Sequence, residues 1–282
     1  INGFAFAAAA GAFSGKVPAT EGQNVITVTA TNAALEQSTE SISVIANFSE
    51  LKTYRPIVLS MFSDDAYENP FLDASATATF TAPSGATLDF PAYWAGGQEW
   101  RVRFAPTEIG SWSFVVNSTD ADFVTQGSFL VEDSGLHGFI KPSTANPYRF
   151  EYSDGTPFFW MGTTSYGLIN LSQSDYEALI TTRRSQNFNA IRMEVFWDHD
   201  VVIPFGGTID SPVYTEINPS YFDKLDSVIT FANDQGMNIE LILSMLYDID
   251  LFHQPPMTAT DEENYFTYVL ARYTGFPNIV IW

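Results

Sequence analysis

Cysteine is absent from this 282-residue sequence, which excludes disulfide bonds, thiolate nucleophiles and cysteine-ligated metals. Positive charge and histidine are also scarce: 12 Lys and Arg stand against 33 Asp and Glu, with only 3 His. The formal net charge of -21 repels phosphates and anionic lipids, so we expect neither nucleic acid nor an anionic membrane as partner. No apolar run approaches the roughly 20 residues that a membrane span requires, and none is predicted.

Apolar and aromatic residues are plentiful. They make up 45% and 15% of the chain, which is enough for packed cores, and the length favours about two domains. The apolar stretch at residues 1–15 has no basic leader and soon meets turn signals, so it does not resemble a signal peptide. We expect any export signal upstream of Ile1.

Residues 1–46 contain too few strand-like runs to close a sandwich. The run TEGQNVITVTATN, residues 20–32, alternates β-branched residues at a period of two, and residues 41–45 supply a further strand. This stretch resembles the C-terminal part of bacterial Ig-like repeats. The resemblance implies that residues 1–46 are the end of such a repeat, truncated on its N-terminal side.

Residues 47–133 have the pattern of an antiparallel β-sandwich. The clearest strand is 99–104, with Trp100, Val102 and Phe104 on one face and two arginines on the other. Turn signals around Gly85 and Gly110 punctuate further β-branched runs at the spacing typical of a sandwich. A linker is predicted at residues 134–149.

From residue 150 onward the pattern changes to alternating strands and helices. A hairpin at 150–161 leads into a first strand, and further strands are predicted at 190–197, 239–246 and 277–282. Capping boxes at Ser174 and Thr260 predict two of the three helices, and Asn218-Pro219 predicts the other, which ends at Gly236. Their predicted inward residues are Tyr176, Leu179 and Ile180; Phe222, Leu225, Ile229 and Ala232; and Phe266, Val269, Leu270 and Tyr273.

Four βα-spaced strands are half of the number in an eight-fold barrel. The alternative is a flavodoxin-like open sheet, but the G-x-G-x-x-G loop expected after its first strand is missing from residues 162–167. We therefore favour half of a (β/α)8 barrel over residues 150–282. The strand at the end of the chain, PNIVIW, is expected to need covering elements beyond Trp282.

Several motifs in order resemble a known arrangement, an Ig-like sandwich of unassigned function followed by a clan A-like (β/α)8 glycoside hydrolase barrel. The motifs are Asn69-Pro70-Phe71, WRVRFAP at 100–106, GSWSF at 110–114, His137-Gly138-Phe139 and GTTSY at 162–166. The resemblance implies a multidomain fold: one or more all-β Ig-like sandwiches followed by the α/β first half of a TIM barrel.

The resemblance also implies where the chemistry lies. Arg192 matches the second-strand arginine that reaches the surroundings of the nucleophile in clan A enzymes. Tyr247-Asp248 matches the end of the family's third-strand motif, although its histidine and proline are replaced by Met245-Leu246. The catalytic acid/base and nucleophile glutamates are expected after Trp282, in a retaining mechanism with two carboxylates about 5 Å apart.

The candidate substrate-binding residues are those predicted near the carboxyl ends of the barrel strands, where barrel active sites form. Aromatic rings suit the apolar faces of sugars, although ordinary packing explains any single ring equally well. Arg192 requires a carboxylate partner, either a catalytic glutamate or a structural one such as Glu194. The full set is Arg192, Asp248, Tyr166, Trp197, Trp160, Asp198 and Tyr247.

Other chemistries have little support in the sequence. Asp198-His199-Asp200 is a poor metal site because adjacent side chains seldom converge on one ion, so we predict no metal and no cofactor. Glu194 and Glu240 lie on strands that do not match the family's catalytic strands. No predicted strand carries the lysine of a Schiff-base aldolase.

The functional hypothesis is a fragment of a secreted or cell-surface bacterial glycoside hydrolase. It cleaves a polysaccharide or oligosaccharide, and the fragment alone is expected to be inactive. The alternative is a carbohydrate-binding or adhesive Ig-like protein with a degenerate barrel.

Overall fold

The structure is a computed structural model that describes residues 22–31, 37–46, 51–196, 202–243 and 257–281, with the backbone only for the first two segments and for Ile281. Strands β1 (Gly22–Thr31) and β2 (Gln37–Ala46) form an antiparallel hairpin with Gly22 opposite Ala46. The strands predicted in this region are confirmed. Its assignment to an Ig-like repeat remains a prediction.

Residues 57–131 form two antiparallel sheets that enclose one core. The strands are β3 (Ile57–Phe62), β4 (Ala76–Thr81), β5 (Thr87–Pro91), β6 (Tyr93–Gly96), β7 (Glu99–Phe104), β8 (Gly110–Ser118) and β9 (Thr125–Val131), with a short helix α1 (Pro70–Asp73) after β3. The sheet orders are β3-β7-β6 and β5-β4-β8-β9.

The sandwich core is aromatic, and strand β7 has the predicted bounds. Trp100, Val102 and Phe104 are buried, and Phe104 stacks on Phe80 with ring centroids 4.2 Å apart. Arg103 lies on the opposite face, as predicted, but it is only 5% exposed. That face of the strand is covered by another part of the chain.

A small antiparallel sheet follows the sandwich. It consists of β10 (Ile140–Pro142), β11 (Phe150–Tyr152) and β12 (Pro157–Phe158). The hairpin predicted within 150–161 is confirmed, with its turn at Asp154-Gly155, and Gly155 takes the left-handed conformation at φ +87° that favours glycine. The first strand of the next sheet starts later than predicted, so Phe159 and Met161 are exposed rather than buried.

The remaining described chain alternates strands and helices as predicted, apart from a hairpin at residues 205–217 that was not predicted. In order, it contains β13 (Gly162–Thr164), α2 (Gln173–Ser185), β14 (Ala190–Glu194), a hairpin of β15 (Phe205–Thr208) and β16 (Ser211–Ile217), α3 (Pro219–Asp234), β17 (Asn238–Ile242), α4 (Ala259–Tyr273) and β18 (Ile279–Ile281). Within this described chain, no helix has the length and apolar character needed to cross a membrane.

The four parallel strands lie in the order β13-β14-β17-β18. A flavodoxin-like sheet has the order 2-1-3-4-5, which places its first strand inside the sheet. Here β13 lies at an edge and each strand pairs with the next one along the chain, as in a (β/α)8 barrel. Over the described residues the sheet is open and does not close into a barrel.

The structure shows which residues cap the N-termini of helices α2, α3 and α4. Asn218 accepts from the amide of Tyr221 at the start of α3, as predicted. The predicted caps of the other two helices are wrong by two residues: Ser172 caps α2, and Thr258 forms a reciprocal capping box with Asp261 at α4. In both cases an earlier hydroxyl residue, with an acidic residue three positions later, takes the cap.

The helices bury one face against the parallel sheet. Phe222, Leu225, Ile229 and Ala232 of α3 are fully buried, as predicted. On α4, Val269 and Tyr273 are buried, but Leu270 is 38% exposed, which makes that part of the prediction wrong. Tyr265, Tyr268 and Arg272 take the inward positions instead.

Candidate functional site

The two faces of the parallel sheet have different chemistry. Ile191 and Met193 of β14, with Ile239 and Leu241 of β17, belong to the core under the helices. Because side chains alternate along a strand, Arg192 and Glu240 lie on the opposite face. The register places Arg192 between Thr164 and Glu240, so this face is polar at the middle of the sheet.

Arg192 and Glu240 form an ion pair across neighbouring strands. The Nε atom of Arg192 donates to Oε1 of Glu240 at 2.6 Å, and Nη2 approaches the same oxygen. The Glu240 side chain is 12% exposed, whereas the Arg192 side chain is 47% exposed. The carboxylate is therefore held in the sheet while part of the guanidinium stays open to solvent.

Tyr166 lies beside this pair. It starts a 3₁₀ turn, Tyr166–Asn170, directly after β13, and the amide of Ser165 donates to the carbonyl of Arg192 at 2.9 Å. The hydrogen bond to Glu240 raises the pKa of the Arg192 guanidinium most, and the Tyr166 side chain adds to the rise. Arg192, Glu240 and Tyr166 therefore form one cluster, which we call the strand-face cluster.

Glu194 lies two residues after Arg192 on the same strand and on the same face. Its side chain is almost fully buried at 1% exposure, at the carboxyl end of β14. A buried carboxylate at this rim of a parallel sheet is in the position from which barrel enzymes build their sites.

Two tyrosines from the helices fix the carboxyl ends of the strands. The Tyr221 hydroxyl of α3 donates to the carbonyl of Val195 at 2.6 Å, and the Tyr265 hydroxyl of α4 donates to the carbonyl of Leu243 at 2.8 Å. Burial raises the pKa of Tyr265 well above its ordinary value, so this hydroxyl stays protonated as a donor. Both strand ends therefore have a fixed backbone position.

Of the predicted site residues, Arg192 and Tyr166 lie together in the strand-face cluster. Trp160 lies elsewhere: it precedes β13, and its ring contacts Phe150 and Phe158 with centroids 5.7 Å and 5.6 Å away. This is the amino end of the sheet, so the expectation that Trp160 lies near the carboxyl ends is wrong. Trp197, Asp198, Tyr247 and Asp248 lie outside the described residues.

Glu240 is the residue that sequence reasoning missed. Arg192 was expected to pair with a catalytic glutamate, with Glu194 or with another core carboxylate, and its partner is the carboxylate of Glu240 on the neighbouring parallel strand. The available signal was that Arg192 and Glu240 occupy equivalent positions between apolar neighbours on consecutive strands. Within the described ranges, no group of three or more His, Asp or Glu side chains is arranged to hold a metal ion.

The class of protein follows from comparison with known families. Residues 144–282 match a family model described as "Apiosidase-like, catalytic domain", and residues 50–119 match a domain of unknown function, DUF5060. No curated protein sequence matches the chain. The first match covers the parallel sheet and its helices, so the strand-face cluster lies in the segment that resembles an apiosidase-like catalytic domain.

One solved structure is similar to most of this chain. A "putative glycoside hydrolase" from Bacteroides vulgatus ATCC 8482 is 26% identical with a TM-score of 0.72, over 82% of this chain and 48% of that chain. The chain thus spans about half the length of that protein. An endo-1,4-beta-mannanase from Rhizomucor miehei is 23% identical with a TM-score of 0.28, over 33% of this chain and 27% of that chain.

Proposed function

We propose that the protein is a glycoside hydrolase that cleaves O-glycosidic bonds of a polysaccharide or oligosaccharide. The single observation that carries the proposal is the strand-face cluster on a parallel sheet in sequential order, within the segment that resembles an apiosidase-like catalytic domain. In this proposal the four parallel strands are the first half of a (β/α)8 barrel, and the polar face of the sheet is the barrel interior.

The proposed reaction is retaining and uses two carboxyl groups. One protonates the leaving oxygen as the other attacks the anomeric carbon, giving a glycosyl-enzyme that water then hydrolyses. Glu240 is engaged by Arg192, which suits an orienting role better than attack. We place the acid/base and nucleophile on strands of the whole protein beyond those described, in keeping with the family resemblance.

The strand-face cluster has a binding role in this proposal. The exposed part of the Arg192 guanidinium and the Tyr166 hydroxyl face the site and donate to sugar oxygens. Asp198 and Asp248, on the segments that follow β14 and β17, accept from sugar hydroxyls, and Trp197 and Tyr247 offer rings to sugar faces. Trp160 is left out of the site because it packs at the amino end of the sheet.

The substrate class follows from the family name and the charge. An apiosyl glycoside is the first candidate because the matched family is described as apiosidase-like. The net charge of -21 suits a soluble protein acting on a neutral or locally bound glycan outside the cell. We propose that the protein is secreted or held at a bacterial surface.

The test uses the protein expressed from its complete gene. Chromogenic glycosides, including an apioside, and a panel of polysaccharides are assayed for released sugar, and the anomer first formed is read by proton NMR. Release of sugar with retained configuration supports the proposal. Glycan binding without hydrolysis of any substrate would overturn it in favour of a binding or adhesive protein.

A further inference from the structure

The β-sandwich of residues 57–131 shares a buried ionic contact with the parallel sheet and its helices. We call the described residues between 162 and 281 the βα unit. Arg103 from β7 places Nη2 2.6 Å from Oδ2 of Asp226 on α3, and Arg272 from α4 donates through Nε to Oδ1 of the same carboxylate at 3.1 Å. The Arg103 side chain is 6% exposed, that of Asp226 is 15% exposed and that of Arg272 is fully buried. One carboxylate therefore joins guanidinium groups from the two units.

The charges of this contact balance. Nη2 of Arg272 also lies 2.6 Å from Oδ1 of Asp223, which gives two positive and two negative side chains. Aromatic rings complete the enclosure: the Arg103 guanidinium lies 4.3 Å from the Phe276 ring centre, and that of Arg272 lies 5.0 Å from the ring of Tyr93. Both guanidinium groups gain cation–π contacts where water has been removed.

Each unit also binds the backbone of the other. Nη1 of Arg103 donates to the carbonyl of Arg272 at 2.5 Å, and the Tyr268 hydroxyl donates to the carbonyl of Trp94 at 2.8 Å. Gly275 permits the close approach, since a Cβ at this position would lie 2.5 Å from the carbonyl oxygen of Arg103. These contacts depend on one relative position of the two units.

The apolar cores join as well. Tyr93 of β6 is a buried member of the core under the helices, and Phe71, Trp94 and Ala95 of the sandwich pack against that core. At the edge of the interface, Nδ2 of Asn69 donates to the carbonyl of Thr215 in β16 at 2.8 Å. Contacts between flexibly linked domains are typically more polar than this.

We infer that the β-sandwich is permanently docked on helices α3 and α4 of the βα unit and folds together with them, and that it is not a mobile accessory module. Docking depends on Asp226, which binds guanidinium groups from both units. Separation of the units would remove the Arg103 guanidinium from Asp226 and Phe276, and the Arg272 guanidinium from Tyr93. It would also divide the shared apolar core. The inference assigns a role to the segment that matches a family of unknown function. It holds whether the protein hydrolyses glycans or only binds them.

The test compares two Asp→Asn substitutions on one helix in the protein expressed from its complete gene. Asp226→Asn removes the buried charge, whereas Asp234→Asn removes the partner of Arg55 in an exposed pair across the same interface, with side chains 44% and 59% exposed. The substitution leaves the buried guanidinium groups of Arg103 and Arg272 without the Asp226 carboxylate. We therefore expect Asp226→Asn to lower Tm by about 10 °C. Asp234→Asn should leave Tm within about 1 °C.

Hydrogen exchange in increasing urea shows whether the two units unfold together. We expect sandwich peptides from residues 76–131 and helix peptides from 219–273 to lose protection together in the wild type, and both sets to lose it earlier in Asp226→Asn. Separate unfolding of the two sets in the wild type would overturn the inference, even if Asp226→Asn fails to accumulate in folded form. An unchanged Tm in Asp226→Asn would overturn it as well.

Discussion

Arg192 and Glu240 show how a charge is held on the polar face of a sheet. Parallel register places the two side chains opposite each other on β14 and β17, and the more buried Glu240 fixes the more exposed Arg192. A guanidinium fixed along one edge keeps its other N–H groups in a defined direction. On the proposed function, those groups meet the substrate.

Arg192→Ala is expected to lower kcat/KM by about 100-fold because it removes preorganised donors. Glu240→Gln should lower it by roughly 10-fold because the guanidinium loses its orientation. Since the Arg192 side chain is 47% exposed, neither change should alter the free energy of unfolding by more than about 1 kcal/mol. Steady-state kinetics and urea unfolding measure the two effects.

The control for these variants is Arg184→Ala, which removes an exposed arginine of α2. It should change neither kcat/KM nor stability. An Arg192→Ala enzyme with unchanged kcat/KM would show that the strand-face cluster takes no part in catalysis.

Asp154 has a perturbed acidity in the turn between β11 and β12. Its Oδ2 lies 2.7 Å from Nδ1 of His137, and the hydrogen bond from His137, followed by that from the Thr156 amide, lowers the pKa of Asp154 to about 2. The folded value lies below the ordinary value of 3.8. The stabilisation is therefore present above pH 3.8 and is lost as the pH falls through about 2.

His137→Ala should raise the Asp154 pKa toward 3.8, as measured by NMR titration of the carboxyl carbon. Thr156→Val retains the backbone N–H donor that contacts Asp154 and should raise the pKa less. An equal rise in both variants, or none in His137→Ala, would show that His137 does not control this carboxylate.

At the scale of elements, the positions of helix starts were predicted to within two residues. Sequence reasoning selected Ser174 and Thr260, each followed three positions later by Glu, while the helices use Ser172 and Thr258, each followed by Asp. Either hydroxyl residue satisfies the local rule. The local rule therefore does not distinguish the two candidate caps, and each helix begins two residues earlier than predicted.

The cap of α4 offers a direct test. Thr258→Ala removes the hydroxyl that accepts from the Asp261 amide and should lower the free energy of unfolding by about 1 kcal/mol, as measured in urea. Thr260→Ala, at the exposed residue that sequence reasoning favoured, should change it by less than about 0.5 kcal/mol. The reverse ranking would mean that the helix starts at the later residue.

The strand order is the element-scale observation with the greatest functional weight. Sequence patterns indicated strands alternating with helices, but they allowed either an open doubly wound sheet or half a barrel. The order β13-β14-β17-β18 places every parallel strand beside the next parallel strand along the chain. Because β14 and β17 are neighbours, Arg192 and Glu240 meet on one face of the sheet, where a barrel site would form.

At the scale of the whole molecule, the sandwich and the βα unit meet through close backbone contact at Gly275. Gly275→Ala places a methyl group against the Arg103 carbonyl and should lower the free energy of unfolding by about 1–3 kcal/mol through overpacking. The neighbouring change Thr274→Ala removes only an exposed hydroxyl contact to Leu270 and should cost less than about 0.5 kcal/mol. Equal effects in urea unfolding would argue against a tight interface at this glycine.

The sequence by itself determined the kinds of element and their order. Apolar periodicity is a local property, so the strand at Glu99–Phe104, the buried stripe of α3 and the switch from all-β to βα pattern were all predicted. The resemblance of its motifs also indicated a glycoside hydrolase. These features depend on neighbouring residues in the chain and on little else.

Only the tertiary structure decided which polar residues meet. Alternation along β7 predicted which face Arg103 occupies, but it could not predict what covers that face. The partner of Arg192 depended on parallel register with a strand 48 residues away, and the position of Trp160 depended on where β13 begins. Burial of a charge is set by long-range packing, because an arginine is buried only where packing between distant parts of the chain brings a carboxylate to it.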